Sequence, residues 1–261
     1  MISLTDILRL GGDLLVPREP VSPYRYIQRL IHRIVARKYS LRHVLEIGPG
    51  TDSIFRYLDP DSFESATIID YEAYVLESTL QAFAHKSMHA IKLDVEEPGA
   101  LERLETKWDF VVASSLIEHL KNDFLFVERL HRIMTDGGYA VCTTVLGPRL
   151  YNLWDHAVGH YRRYTVSGLR QLFSQFSEVQ IIQTSVLQEL ARPLFFRRIQ
   201  HLGDSTIEEN NRRFSAEHSQ LGRPPYARLF WLLRWILPLY LMGDWALKDL
   251  QGGIAIVIAR K

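Results

Sequence analysis

Glu46-Ile47-Gly48-Pro49-Gly50-Thr51 is the stretch in which residue types and spacing speak most directly of chemistry. An apolar run, His43–Ile47, delivers the chain to a tight turn where side chains must be absent. Gly48 and Gly50 let the backbone approach a ligand closely. A helix following the turn offers free N–H groups to a carboxylate or phosphate. Taken alone, the turn also fits an ordinary strand-to-helix connection. Two acids shift the balance. Asp70 ends the next apolar run, Ala66–Ile69, where a carboxylate can accept both ribose hydroxyls of an adenosine group. A helix N-cap is the plainer role for it. Asp94 ends a third run, Ala90–Leu93, where an acid can accept from an adenine amine while Val95 packs on the ring. Three successive strands thus carry nucleoside-compatible residues at their carboxyl ends, the edge at which open α/β sheets bind ligands.

The elements that must position these residues alternate in type. A fourth apolar run, Phe110–Ala113, ends in Ser114 and Ser115, and a fifth, Tyr139–Val145, is introduced by Gly137–Gly138. These continuous apolar runs mark strands buried on both faces, as in a parallel sheet. Helical patterns such as Asp123–Met134 lie between them, which implies a doubly wound α/β sheet. Two further strands are expected at Val179–Thr184 and Ile254–Ala259. The segment 186–251 falls outside the alternation and reads as a helical cap. Ahead of the sheet, 22–39 reads as an amphipathic helix. Ile27, Leu30, Ile31, Ile34 and Val35 form its apolar stripe, and Arg25, Arg29, Arg33 and Arg37 form a second one. Three units follow: a helical extension over 1–42, a nucleoside-binding domain over 43–185 plus 252–261, and the cap over 186–251.

The 261 residues suffice for one large α/β domain with an added cap, and 47% apolar residues supply a real core. The formal net charge of +1 conceals an asymmetry. Residues 1–42 carry a net +5, residues 43–187 a net −8, and residues 188–251 a net +2. An acidic middle argues against a broad nucleic-acid footprint, which needs a basic domain. The single cysteine, Cys142, excludes an internal disulfide framework and reads as a buried, inert thiol. A reducing, cytoplasmic setting fits it. The first residues show no basic n-region followed by a long apolar stretch, so no signal peptide is expected.

The order and spacing of these stretches resemble a class I S-adenosylmethionine-dependent methyltransferase, of the broad group that includes the quinone-biosynthesis enzymes. The resemblance rests on VLEIGPGT (44–51), TIID (67–70), KLDVEE (92–97), WDFVVASSLIEHL (108–120), GGYAVCTTV (137–145) and IAIVIARK (254–261). It implies a Rossmann-like sheet of seven strands, mostly parallel with an antiparallel C-terminal strand, and S-adenosylmethionine as cofactor. On that resemblance Glu46 orients the loop near the cofactor amino group. Gly48, Pro49, Gly50 and Thr51 line its methionine part, and Asp70 with Tyr71 holds the ribose. Asp94 and Val95 frame the adenine, and Ser114 and Ser115 sit beside the cofactor. His119 faces the cofactor or the acceptor, or else hydrogen-bonds within the scaffold. Asp52 stands where many relatives have a third glycine. It can cap the first helix or contact the cofactor.

The acceptor side falls to the stretch from Trp154 to Thr165, whose Gly159-His160-Tyr161-Arg162-Arg163-Tyr164-Thr165 resembles a GHxRRYT element of many relatives. Thr165 is placed to cap a helix over Val166–Phe173, and His160, Arg162 and Arg163 suit pinning the loop. His156, at the loop's start, is better placed to touch an acceptor, and His156, His160 or His119 could remove a proton from a hydroxyl acceptor. No metal-ligand spacing is recognisable. The run Leu229–Met242 is too short and too interrupted for a membrane span. It fits a buried cap, a lid over an apolar acceptor, or a helix touching a membrane surface. With Arg192, Arg197, Arg198, Arg212 and Arg213, it raises a lipid-like or anionic small-molecule acceptor. The competing functions are a cofactor-binding protein without turnover, acting through protein partners, and an NAD(P)-dependent oxidoreductase. The latter is disfavoured because Ser53 occupies the third position of its glycine fingerprint.

Overall fold

The computed structural model describes residues 2–3, 5–6, 23–39, 41–50, 52–83, 88–104, 106–186, 206–207, 209 and 252–261. Thr51, nearly all of the 186–251 insertion including Leu229–Met242, and most of 1–22 lie outside them. In chain order the elements are α1 Pro23–Tyr39, β1 His43–Ile47, β2 Ser65–Asp70, α2 Ala73–Ala82, β3 Met88–Lys92, β4 Trp108–Ser114, α3 Asp123–Ile133, β5 Met134–Val145, α4 Leu153–Ala157, α5 Val166–Leu172, β6 Glu178–Thr184 and β7 Ile254–Arg260.

The strands form one seven-stranded sheet in the order β3-β2-β1-β4-β5-β7-β6. Pairing is parallel from β3 through β5, whereas β7 runs antiparallel to both β5 and β6. Chain order therefore reverses between β1 and β4, the topological switch point that opens a crevice at the strands' carboxyl ends. Burial follows the two-residue period. Leu45, Ile47, Val111, Ala113, Ala140, Cys142 and Val257 join one core, with Phe126, Val127 and Leu130 of α3 and Leu169 of α5. Val44, Phe110, Val112, Val141 and Ile256 join the other, with Ile27, Ile31, Ile34 and Val35 of α1. The apolar stripe of 22–39 thus lies against the sheet, and Tyr39 stacks on Tyr139 of β5 with centroids 3.8 Å apart. Cys142 is buried, as expected.

Two strands differ from the sequence reading. The third was expected to be buried on both faces, but β3 is the sheet edge, and His89 and Lys92 are exposed. The fifth starts at Met134, directly after α3, so Gly137–Gly138 lie within the strand rather than before it. Met134 pairs with Trp108, and the register shifts between Trp108 and Phe110. This irregularity lets the strand pass through the glycines without losing its pairing.

Candidate active site

The glycine turn leaves β1 at the switch point. Gly48 and Gly50 have φ of 65° and 53°, in the left-handed region that a side chain disfavours. Gly48 N–H donates to the Ile69 carbonyl at 2.8 Å, tying the turn to β2. A Cβ on Gly48 would press to 3.2 Å from Leu116, so this side of the crevice is narrow as well as turned.

The sequence reading places an N–H-donating helix after the turn. The structure has only a three-residue 3-10 helix, Ile54–Arg56, capped by Ser53 rather than by Asp52. Its first donors are already engaged. Ile54 N–H reaches Glu46 Oε1 at 2.9 Å, Ser53 Oγ donates to Glu46 Oε2 at 2.6 Å, and Phe55 N–H goes to Ser53 Oγ. The anion in this turn is thus the protein's own carboxylate. Glu46 orients the loop as expected, and burial pushes its carboxyl up to about 8, against hydrogen bonds from Ser53 and Ile54. Asp70 is buried at the end of β2 and accepts Glu72 N–H at 2.9 Å. Burial raises its pKa too, and the Glu72, Gly50 and Tyr71 N–H groups pull it back. Among the described residues neither acid has a lysine or arginine partner. Two buried carboxyls without a counter-cation suit a cationic ligand.

The remaining cofactor-side residues ring the same edge. Pro49 is buried, Gly50 and Tyr71 are exposed, and Asp94, exposed, accepts Glu96 N–H at 2.9 Å. Val95 is buried in the core below, so its packing role is structural as well. Ser115 holds φ of 50° at the end of β4, unusual for a residue with a side chain, and its N–H donates to the Thr143 carbonyl at 2.9 Å. Such backbone strain collects at ligand sites.

Three contacts that sequence reasoning missed bring α1 over this edge. Gln28 Nε2 donates to Ser114 Oγ at 2.7 Å, and Arg25 and Arg29 each pair with Asp52 at 2.7 Å. Asp52 therefore neither caps a helix nor stands free for a ligand, and half of the arginine stripe is held inside the molecule. The arginine spacing in 22–39 was a signal, but only the fold supplies the acid that answers it. Asp52→Gly, which installs the residue of many relatives, is expected to lower stability here by about 1 kcal/mol, roughly 2–4 °C in thermal midpoint. Thermal unfolding beside Asp52→Asn checks it; an unchanged midpoint in both variants would show that the pairs hold nothing.

Across the crevice, the GHxRRYT element is built into the scaffold. Asp155 is fully buried and accepts from His160 Nδ1 at 2.9 Å, Arg163 Nε at 2.8 Å and Asn152 N–H at 3.0 Å. Burial pushes its carboxyl up, but the His160 and Arg163 hydrogen bonds outweigh this and hold it below the ordinary range. Arg162 bonds Asp123 at 2.6 Å and the Lys121 carbonyl at 2.7 Å. Thr165 caps α5 through Gly168 N–H, as its position predicts, though the helix ends at Leu172. His119 and His160 meet edge to face with centroids 4.7 Å apart. Burial, and then the neighbouring His160 ring, push His119 down to about 4. His156 is exposed on α4. The fold also does what no spacing announced: ligand atoms of Glu118, His119 and His160 lie within 4.8 Å of one another. Sequence spacing does not announce this grouping, because His160 reaches the pair from a distant loop.

The family described as "Methyltransferase domain" matches residues 21–177, from α1 to the start of β6. No curated protein matches the chain. Among solved structures, a SAM-dependent methyltransferase from Archaeoglobus fulgidus aligns with a TM-score of 0.53 and 20% identity, covering 92% of this chain and 95% of that one. Phosphoethanolamine N-methyltransferase 2 of Haemonchus contortus, bound to S-adenosyl-L-methionine, aligns at 0.54 and 17%, covering 100% and 60%. The N-methyltransferase NodS of Bradyrhizobium japonicum, bound to S-adenosyl-L-homocysteine, aligns at 0.51 and 14%, covering 70% and 93%. At these identities the likeness is one of fold.

Proposed function

The chain belongs to the methyltransferase-domain family, and on that premise we propose that it transfers the methyl group of S-adenosylmethionine to a small or lipid-like organic acceptor. The observation that carries this reading is the pair of buried acids without a cationic partner, Glu46 and Asp70, flanking the Gly48–Gly50 turn at the switch point. S-adenosylmethionine supplies an ammonium, a sulfonium and a ribose diol, and its activated methyl carries the difficult chemistry. What falls to the chain is placement. Glu46 holds the turn and faces the ammonium, Asp70 accepts from the ribose diol, and Asp94 with Val95 borders the adenine. Fixing the acceptor in line with the bond to be broken contributes much of the acceleration.

On the acceptor side, His156 is the exposed histidine that can take a proton from a hydroxyl acceptor. His119 and His160, also candidates from sequence, are more enclosed and line the crevice wall. Among the described residues no helix is long and apolar enough to cross a membrane. An anionic, lipid-like acceptor rests on the basic composition of helix 22–39 and on Arg192, Arg197, Arg198, Arg212 and Arg213 in the sequence. Anionic liposomes that neither bind nor stimulate the protein would remove it.

The deciding measurement is thermal unfolding with S-adenosylmethionine, S-adenosylhomocysteine or NADH at matched concentrations. A ligand at about 100 times its dissociation constant stabilises by about 2.7 kcal/mol, roughly 5–10 °C for a chain of this size. The two adenosyl ligands are expected to shift the midpoint and NADH is not; stabilisation by NADH alone would reinstate the oxidoreductase. Labelled methyl transfer to a panel of hydroxyl, amine and carbon acceptors then separates an enzyme from a binding protein without turnover.

A further inference from the structure

Glu118, His119 and His160 meet in the wall of the crevice, at the end of β4 and in the loop after α4. Their ligand atoms all lie within 4.8 Å of one another, and Glu118 and His160 are 1% and 7% exposed. Two imidazoles and one carboxylate form a donor set that first-row divalent cations take.

Three features separate this cluster from a chance grouping. The first is the arrangement behind His160. A carboxylate only accepts, so Asp155 at 2.9 Å holds a hydrogen on His160 Nδ1, and in the neutral ring Nε2 then carries the lone pair. A carboxylate behind a histidine in this way is the usual outer partner of a metal ligand, setting its tautomer and raising its basicity. Asp155 is itself held by the buried fork of Arg163, so the ring cannot turn freely. The second is the state of Glu118. It is buried, its side chain accepts from Thr144 Oγ1 at 2.8 Å, and among the described residues no lysine or arginine pairs with it. The cationic side chain nearest to such a carboxylate would be a histidine of the same cluster. The third is the fastening of the loop. Tyr161 N–H donates to the Glu118 carbonyl at 2.8 Å, so the segment bearing His160 is tied to the one bearing Glu118 and His119.

We propose that Glu118, His119 and His160 form a binding site for one first-row divalent cation of the zinc or manganese class, with Asp155 as the outer residue that orients His160. Three protein donors leave at least one position for a water or for an oxygen of a bound small molecule. Ion binding does not depend on the methyl-transfer reading, and its test needs no acceptor.

The full chain is stripped with chelator and equilibrated with Zn2+. Bound metal is then counted after gel filtration, and Co2+ serves as a spectroscopic probe. About one ion per chain is expected, with a visible Co2+ spectrum that Zn2+ abolishes. Glu118→Gln and His160→Gln should each weaken binding by at least about 100-fold. The outer variant Asp155→Asn should weaken it by about 10- to 100-fold. His119→Gln, at the least enclosed of the three ligands, keeps the comparison usable if a more deeply buried variant fails to fold. The thermal shift with S-adenosylmethionine, read on the same samples, reports separately on the cofactor site. Stoichiometric binding unchanged in the ligand variants would overturn the proposal by placing the ion elsewhere. Absence of binding by the folded wild-type chain would equally overturn it, leaving the cluster as a buried hydrogen-bonded group.

Discussion

Asp70→Ala is expected to weaken binding of S-adenosylmethionine by about 100-fold or more. Each hydrogen bond to a charged acceptor contributes about 1.5–3 kcal/mol, and a ribose diol donates two. Every 1.4 kcal/mol is about a factor of ten. At a concentration that shifts the wild-type midpoint by several degrees, the variant should show no shift. Asp70 sits at the strand end and accepts from the main-chain N–H groups of Glu72, Gly50 and Tyr71, outside the strand ladder, so the fold should survive, and circular dichroism checks it. The same pair of acids gives the wild type a pH signature. In the free protein burial holds the Glu46 carboxyl up to about 8, so near neutrality it keeps a proton that its ordinary value would release, and burial moves Asp70 in the same direction. A cationic ligand favours the ionised forms. Binding near neutrality must then release protons, and affinity must rise with pH and level off above about 8. For the ligand-free fold the sign is opposite. A raised carboxyl contributes stability that is present below its ordinary value and lost as pH rises through about 8. Calorimetry in two buffers of different ionisation enthalpy reads the proton release. Glu46→Gln should diminish it and flatten the affinity profile, whereas affinity independent of pH in the wild type would refute the pairing of these acids with a cation.

Much of this site is legible in the chain itself. A parallel sheet buries both faces of its strands, so each strand is written as an apolar run, and the first polar residue after the run marks the edge where ligands bind. Asp70 and Ser114 are found in that way, Glu46 by the glycine turn that follows it, and α1 by its apolar stripe. What escapes is whatever depends on two distant segments meeting. Asp52 looks like a cap because Asp caps helices; it is instead an anion for Arg25 and Arg29, which no local rule connects to it. The helix expected after the glycine turn is only a 3-10 turn, and its first N–H groups go to Glu46 and Ser53 rather than to a ligand. Edge position is likewise invisible: Ala90–Leu93 is apolar enough for an inner strand, yet among the described residues β3 pairs with β2 alone. Glu118 and His160 are each unremarkable alone, and only the crossing of β4 with the later loop makes them a cluster.

Arg163→Met should destabilise the protein by about 3–5 kcal/mol, since it strips a buried carboxylate of its cation. Arg163 and Asp155 are both fully buried and meet through two contacts of 2.8 Å, one from Nε and one from a terminal nitrogen. Such a fork is planar and fixed, so Arg163→Lys, with one compact charge, should restore little. At 2–4 °C per kcal/mol the midpoint would fall on the order of 10 °C. The neighbouring Arg162 supplies the control. It is one-third exposed, so water can partly replace it beside the buried Asp123, which keeps the Tyr164 hydroxyl, and Arg162→Met should cost clearly less than Arg163→Met. The double variant Asp155→Asn, Arg163→Met removes both charges together and should recover a large part of the loss, because the penalty belongs to the stranded carboxylate and not to the missing pair. Two adjacent arginines of one motif would thus separate into a core residue and a surface clamp. Equal losses at the two positions would instead mean that Asp155 reaches water when Arg163 is removed, and that the wall carrying His160 is less firmly held than its hydrogen bonds imply.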